Sequence, residues 1–314
     1  FKQKPAYDIR LSLVGSEMCI RDRLIVIHYD INRTFACLFG VKLYFFIFVM
    51  NIFPVIILAI IQGITEFLPI SSSAHLLITA EMMNIRENLS LDISLHLGTL
   101  IAVLIYFRTE ALSFYKFMMP FLTSNKISKT KMNQNLIVAS LPIIFIGGLA
   151  YISGFAEIFR NLHFIGLSTI VFGLALYFAD IRSNEESLKV DNLSYKKSLI
   201  VGFFQIFAII PGASRAGVVY TGSRIVGLNR VEAAKFSMLL SIPVILISAS
   251  IPAIEIVNDS IAINFLYLFS GFIISFITAY LSISILLNWV KNNSMIPFVI
   301  YRIILGSIIL IYFT

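Results

Sequence analysis

Long apolar runs, separated by short polar segments, dominate the pattern of this chain. Six of them lie near 93–107, 136–155, 162–179, 236–256, 263–288 and 296–313. A helix needs about 20 apolar residues to cross the hydrocarbon core of a bilayer, and most of these runs come close to that length. We therefore predict an all-α polytopic membrane protein with about six transmembrane helices.

Two further apolar regions, 52–83 and 198–228, are interrupted by Pro, Gly and Ser. Backbone polar groups at membrane depth must find partners inside the protein, so interrupted helices survive there only where they are packed in the protein or line a cavity. We expect each region to form a re-entrant helical hairpin or a broken helix.

Composition supports the membrane assignment. Hydrophobic residues make up 58% of the 314 residues and charged residues only 13%, and the mean hydropathy is +0.90. The net charge of +7 comes largely from basic loops near 108–131 and 182–197, which favours cytoplasmic loops over a nucleic-acid partner. Two cysteines give no disulfide framework or metal–thiolate site.

The first 49 residues look foreign to the rest of the chain. Residues 12–23 resemble translated sequencing-adapter read-through, and Met50 follows the next apolar stretch. We interpret 1–49 as a non-native leader and 50–314 as one integral membrane domain. The competing interpretation is a genuine extra helix over 35–49.

The two interrupted regions also indicate an internal repeat, with halves of about 50–180 and 181–314. Three features coincide on alignment: a proline (Pro69, Pro211), a preceding glutamine (Gln62, Gln205) and a serine three residues after the proline (Ser72, Ser214). With the basic loops in the cytoplasm, the first hairpin enters from outside and the second from inside. Inverted repeats of this kind bring two broken-helix tips together near the midplane, where helix N-termini favour an anion.

The first interruption concentrates ionisable and hydroxyl groups. Glu66 lies one helical turn after Gln62, so the carboxylate is a candidate for holding a divalent ion or relaying a proton, rather than a helix-end group reaching the membrane surface. One serine of 71–73 is expected to cap the following helix. His75 lies one turn beyond Ser71 and Ser72, a spacing that suits a nucleophile and its base.

The second interruption contains Arg215, which follows a glycine-bearing turn. Such a turn can open backbone N–H groups to a phosphate, and an arginine there can bind phosphate oxygens in a bidentate manner. Gly212, Ser214 and Thr221 extend this polar segment. The pairs Gly147–Gly148 and Gly166/Gly173 are expected to mark close helix packing. His96 and His163 are expected to be structural.

With these residues placed, the chain resembles the bacitracin-resistance type undecaprenyl-diphosphatase family. The resemblance rests on QGITEFLPISSSAHL at 62–76 and PGASRAG at 211–217. Supporting segments are SLHLGTLIAVLIYFR, GFFQIFAIIPG, FSMLLSIP and IPFVIYRIILG. It extends over about 50–314.

The resemblance implies an enzyme of the bacterial cytoplasmic membrane that converts undecaprenyl diphosphate to the monophosphate and inorganic phosphate, with a divalent cation such as Mg²⁺ or Ca²⁺. It implies an inverted repeat with two re-entrant hairpins, and a homodimer is one expected assembly. By motif position, the catalytic residues are Glu66, Ser72, His75 and Arg215. The substrate-binding residues are Gln62, Ser71, Ser73, Gly212, Ser214 and Thr221, and the metal ligands are Glu66 and Gln62.

Two departures and several alternatives accompany this interpretation. The family often has hydroxyl residues where this chain has Ala216 and Val219, and Thr221 is a partial substitute. Within the phosphatase chemistry, Ser72 attacks with His75 as base, or water attacks and the serines only bind. The rival function is a lipid flippase or secondary transporter. A second membrane-phosphatase superfamily shares only fragments of its motifs with this chain.

Overall fold

The computed structural model is helical through most of the ranges it describes, which are residues 52–84, 88–119, 131–155, 161–182, 188–258 and 265–312. Its helices are α1 Ile52–Thr65, α2 Ser72–Met82, α3 Leu89–Tyr106, α4 Arg108–Met118, α5 Lys131–Ile152, α6 Leu162–Arg182, α7 Tyr195–Ile206, α8 Arg215–Ile225, α9 Arg230–Asn258, α10 Phe265–Trp289 and α11 Ile296–Tyr312. The predicted leader, 1–49, lies outside the described residues.

Six of these helices form the predicted membrane spans. Five of them, α3, α5, α6, α9 and α10, are long and apolar enough to cross a bilayer. The sixth, α11, is apolar but has only 17 residues. Each span lies on one of the predicted apolar runs, so the prediction of a polytopic all-α membrane protein with about six spans is confirmed.

Two pairs of short helices form the predicted hairpins. The first is α1–α2 and the second is α7–α8, with a turn inside each pair. At 11 residues each, α2 and α8 are about 17 Å long, whereas the hydrocarbon core is about 30 Å thick. Neither helix can cross a membrane alone.

The two hairpins point in opposite directions through the membrane. Between them lie the spans α3, α5 and α6, an odd number, so the chain enters the second hairpin from the face opposite the first. The intervening α4 is 11 residues long, has no buried residue and is therefore not a crossing. This geometry is the inverted repeat expected from the loop charges.

The repeat follows a constant shift of 143 residues. The shift is read from the helix caps. Ser71 and Ser214, which are 143 residues apart, are the N-caps of α2 and α8, with φ angles of 76° and 68°. At the other end of each helix, Asn84 and Gly227 again share a positive φ. The alignment of Ser72 with Ser214 was therefore wrong by one residue, because the helix cap rather than the proline sets the register.

Small residues allow the spans to approach closely. An added Cβ on Gly98 of α3 would lie 2.5 Å from a carbonyl oxygen of α10. Between α6 and α11, a Cβ on Gly166 would meet Leu310, and one on Gly306 would lie 2.7 Å from the Gly166 carbonyl oxygen. The expected packing role of Gly166 is thus confirmed. Such close contacts hold membrane helices together where lipid competes for apolar surface.

The core is formed mainly where α3, α8, α9 and α10 meet. Phe236 and Leu240 of α9 are fully buried there, together with Val219 of α8 and Ile283 of α10. Because the broken helix α8 is packed inside this cluster, its turn is held rigidly beside the neighbouring spans.

Candidate active site

A cavity of about 380 Å³ lies where the two hairpin turns approach α3, α5 and α9. One end is polar and is lined by Glu66, Ser71, Ser72, Ser73, His96, Gln205, Ser214 and Arg215. The other end is lined mainly by apolar side chains of α5 and α9. The cavity is therefore amphipathic, with its charged groups at one end.

A buried ion pair joins the two hairpins at the polar end. Arg215 Nη2 lies 2.7 Å from Glu66 Oε1, and the two side chains are only 12% and 6% exposed. The other carboxylate oxygen, Oε2, accepts hydrogen bonds from Gln62 Nε2 and Ser72 Oγ, each at 2.9 Å. A buried pair is stable only when its remaining hydrogen-bonding capacity is used, and here Glu66 has three donors.

Arg215 is only partly satisfied by this pair. Its second terminal nitrogen, Nη1, is buried and has no hydrogen-bond partner among the described residues. A guanidinium that is fixed by a carboxylate through one nitrogen, while the other nitrogen has unused donors, is suited to bind an anion. The predicted phosphate-binding role of Arg215 therefore has a free donor available for it.

The serines at the two turns have different hydrogen-bond partners. In the second hairpin, Ser214 Oγ accepts from the Gly217 N–H at 3.2 Å and caps α8. In the first, Ser71 occupies the cap position without a side-chain cap bond, and its hydroxyl lies 3.2 Å from that of Ser73. Ser71 is therefore the expected N-cap of α2 by position but makes no side-chain bond to the helix, and these hydroxyls remain on the cavity wall.

His75 is placed away from the predicted pairing with Ser72. Its Nδ1 lies 2.7 Å from the Ser71 carbonyl, which only accepts, so Nδ1 carries the proton. Nε2 then accepts from the Tyr301 hydroxyl at 2.5 Å, and the two rings are stacked. Since the Ser72 hydroxyl donates to Glu66, the basic group in contact with Ser72 is Glu66.

His96 lies on the cavity wall, although the sequence suggested a structural role. Its Nδ1 lies 2.7 Å from the Asp92 carbonyl, which leaves Nε2 as the nitrogen with a free lone pair. His96 and Glu66 both line this cavity. An available signal was its position inside a predicted span, where an ionisable group is costly.

Arg302 ties the two turns together and was not singled out from the sequence. The side chain is completely buried, and it donates to the carbonyls of Pro69, Gly212 and Ala213 at 3.1, 2.9 and 3.0 Å. A fourth bond reaches Thr169 O on α6 at 3.1 Å. A lone arginine in an apolar run was the signal, since such a charge persists only with dedicated partners.

Glycines make room for this arginine. An added Cβ on Gly217 would lie 2.9 Å from Arg302 Nη1, and one on Gly173 would lie 3.2 Å from the Arg302 Cβ. The expected packing role of Gly173 is therefore confirmed. Both glycines permit the close approach that lets Arg302 reach the two turns.

Four of the predicted site residues are outside the set that lines the cavity: His75, described above, and three residues that support the turns. Gln62 orients Glu66 from the preceding helical turn. Gly212, at φ 88°, packs on α6, where an added Cβ would lie 2.3 Å from Ser168 Oγ. Thr221 donates to the Gly217 carbonyl within α8 at 2.8 Å. Gln62, Gly212 and Thr221 therefore support the turns, and the structure places none of the three on the cavity wall.

The two departures from the family pattern are also buried away from the cavity. Ala216 is 5% exposed and Val219 is completely buried in the main core. The Ala216 carbonyl accepts a bond from Ser237 at 3.1 Å. Apolar packing therefore occupies the places where the family often has hydroxyls.

The apolar end of the cavity is formed by side chains of α5 and α9. Its walls include Ile144, Tyr151 and Ile247, which are all exposed on the outer surface of the spans. Gly148 also lines it, and an added Cβ there would meet nothing within 4 Å. The expectation that Gly148 marks close helix packing was therefore wrong, because the space beside it is open.

Comparison with known proteins connects this geometry to a family. Residues 55–308 match the family described as "Bacitracin resistance protein BacA". A curated relative, the undecaprenyl-diphosphatase of Alteromonas mediterranea (strain DSM 17117 / CIP 110805 / LMG 28347 / Deep ecotype), is 39% identical over 263 residues. That alignment covers 83% of this chain and 98% of the relative.

Proposed function

The chain belongs to the bacitracin resistance protein BacA family, and we propose accordingly that it hydrolyses undecaprenyl diphosphate to undecaprenyl phosphate and inorganic phosphate. One observation supports this most directly. The cavity combines the Glu66–Arg215 pair with an apolar wall that two spans, α5 and α9, provide. Its polarity matches a substrate with an anionic head and a hydrocarbon tail.

Charge stabilisation is the main contribution that the polar end makes. Phosphoryl transfer is catalysed chiefly by positioning and by electrostatic stabilisation of charge on the phosphate oxygens. The unpaired Nη1 of Arg215 and the hydroxyls of the cavity serines are the donors available for this. Glu66 holds the guanidinium in place, so little reorganisation is needed when the diphosphate binds.

Glu66 is the base that the geometry favours for a serine nucleophile. In this route Ser72 Oγ attacks the terminal phosphorus, its proton passes to Glu66, and the P–O bond to undecaprenyl phosphate breaks. Water then hydrolyses the phosphoserine. In the alternative route Glu66 takes the proton from an attacking water, and Ser72 only orients the carboxylate.

A divalent cation remains part of this proposal. The described residues contain no cluster of three or more carboxylate, imidazole or thiol groups that would hold an ion alone. Mg²⁺ often binds through one or two carboxylates plus substrate phosphates, so a complete protein cage is not required. Glu66 and the buried, unpaired Oε1 of Gln62 are the oxygen atoms that would hold it. The ion would supply further neutralisation of phosphate charge.

The polyprenyl chain leaves the cavity between α5 and α9 in this proposal. A cavity of about 380 Å³ holds a diphosphate and the first isoprene units but not the whole chain. Gly148→Leu fills the open space on this route without a backbone clash. We expect Gly148→Leu to slow phosphate release from undecaprenyl diphosphate more than release from farnesyl diphosphate, with each rate compared with that of the native protein. Leu149→Phe, on the exposed face of the same helix, is the matched control.

The setting that fits this activity is the bacterial cytoplasmic membrane, where the reaction would recycle the lipid carrier used in peptidoglycan synthesis. The chain is a multi-pass membrane protein by its apolar helices. The flippase alternative is not favoured, because the curated relative is a phosphatase.

Phosphate release from undecaprenyl diphosphate by the detergent-purified protein tests the proposal. We expect release with Mg²⁺ and loss of it in EDTA. Release that continues unchanged in EDTA would remove the cation from the proposal. A well-folded protein that releases no phosphate under either condition would contradict the phosphatase assignment.

A further inference from the structure

Gln205, near the end of α7, is a buried polar residue without a partner. Its side chain is completely buried, and neither Oε1 nor Nε2 has a hydrogen bond to any described residue. The residue nevertheless lies on the wall of the cavity, beside Ser214 and Arg215. An unpaired buried amide reduces stability, and native proteins contain few of them.

The repeat explains how the amide lost its partner. Under the shift of 143 residues, Gln62 corresponds to Gln205 and Glu66 corresponds to Ile209. Gln62 donates to the Glu66 carboxylate at 2.9 Å. The second hairpin has an isoleucine at the equivalent position, so Gln205 has no carboxylate there to bind.

We propose that Gln205 is a substrate-contacting residue whose amide binds the terminal phosphate of the diphosphate. This inference rests on the proposed function. Two unpaired N–H donors, Gln205 Nε2 and Arg215 Nη1, belong to the walls of one cavity, and phosphate oxygens are strong acceptors for both.

The chemistry of the amide fits this role better than a second cation would. A phosphate group with one proton both accepts and donates hydrogen bonds, and a carboxamide does the same through Nε2 and Oε1. The amide adds no charge, so it holds the released phosphate less firmly than arginine would. Gln205 thereby recognises the group that is transferred, while Arg215 neutralises its charge.

Substitution by methionine separates this role from a structural one. Gln205→Met keeps the length of the side chain and removes the unpaired amide. We expect the Tm of the ligand-free protein to rise by about 2 °C or more, since an unsatisfied buried group is removed. The KM for undecaprenyl diphosphate should rise about tenfold or more, because a hydrogen bond to a charged phosphate is lost.

A binding measurement makes the test independent of turnover. A non-hydrolysable farnesyl methylenebisphosphonate should raise the Tm of the native protein and should raise that of Gln205→Met much less. Gln205→Leu repeats the test with a second apolar side chain. If the native protein binds the bisphosphonate but hydrolyses nothing, the proposed function fails and the role of Gln205 is still tested.

Gln134→Met is the matched control, since this glutamine of α5 bonds Tyr195 at 2.6 Å and is absent from the cavity walls. Its KM should equal that of the native protein. A lower Tm in Gln205→Met, with an unchanged KM and an unchanged bisphosphonate shift, would overturn the inference and make Gln205 a structural residue.

Discussion

The two hairpins share the geometry of their helix caps and carry opposite charges beside their turns. Both begin their second helix after a serine with positive φ, and α2 and α8 have equal lengths. The residue after that serine is Ser72 in the first hairpin and Arg215 in the second. Both of these side chains bind the same carboxylate, Glu66.

This difference shows how an inverted repeat becomes an asymmetric site. The shared turns bring equivalent positions of the two halves together. A few substitutions then place the carboxylate in one half and the guanidinium in the other. Glu66 against Ile209 is the substitution that decides which half holds the carboxylate. The chemistry therefore depends on divergence at a few residues, while the placement depends on what the halves share.

The largest expected effect comes from removing the cation of the second hairpin. Arg215→Met should lower kcat/KM by about 10³-fold or more, since electrostatic stabilisation of the phosphate is the main catalytic contribution. The change also leaves Glu66 buried without its partner, so turnover should be measured per folded molecule. Arg108→Met, at an exposed position, is the control and should keep native activity.

Removal of Arg302, which bonds both hairpin turns, gives the next largest effect. Arg302→Met removes four hydrogen bonds to the two turns and α6, and should lower the free energy of unfolding by about 3 kcal/mol or more. Thermal unfolding in detergent measures this, with exposed Arg182→Met as control. Equal stability of Arg302→Met and Arg182→Met would show that the turns are held together by other contacts.

Within the first hairpin, the hydroxyl and the imidazole should differ. Ser72→Ala should lower kcat by about 10²-fold, because Ser72 contacts the carboxylate that handles the proton. His75→Gln should lower kcat by less than about tenfold, since the histidine supports the turn through Ser71 and Tyr301. Steady-state phosphate release measures both. An equal loss in the two variants would favour the Ser72–His75 pair predicted from the sequence.

The smallest effect distinguishes the two caps. Ser214→Ala removes a side-chain cap and should lower the free energy of unfolding by about 1 kcal/mol. Ser71→Ala removes no cap bond and should lower it by less than about 0.5 kcal/mol. Because both residues have a positive φ, alanine adds similar strain at each. Equal losses in thermal unfolding would contradict the difference between the turns.

Much of this architecture follows from the sequence because hydropathy sets where helices cross a membrane. The spans and the two interruptions were predicted, and so was the importance of Glu66 and Arg215, since ionisable groups at membrane depth are costly. The partners of Arg302 were not predictable, because they are carbonyls whose approach depends on packing of distant segments. The repeat register was wrong by one residue, because proline was used to align turns that a helix cap defines.

The histidines and glycines show a related limit. His75 and Ser72 are close in sequence, yet the turn directs the ring towards Tyr301. His96 is distant in sequence from Glu66, and helix α3 brings it to the same cavity. Gly148 was expected to pack against a neighbouring helix and instead faces open space. In each case the contacts of the residue depend on which face of its helix it occupies. The apolar pattern of a membrane span does not show clearly which face points to a cavity and which to a neighbouring helix.

The central claim is that the two hairpins act as one unit, and a double-mutant cycle on phosphate release tests it. Glu66→Gln, Arg215→Met and the combined variant would be compared with the native protein by kcat/KM for undecaprenyl diphosphate. Because the two side chains form one buried pair, the combined loss should be no greater than that of the worse single variant. Losses that multiply would show that the hairpins contribute independently, which would contradict the account.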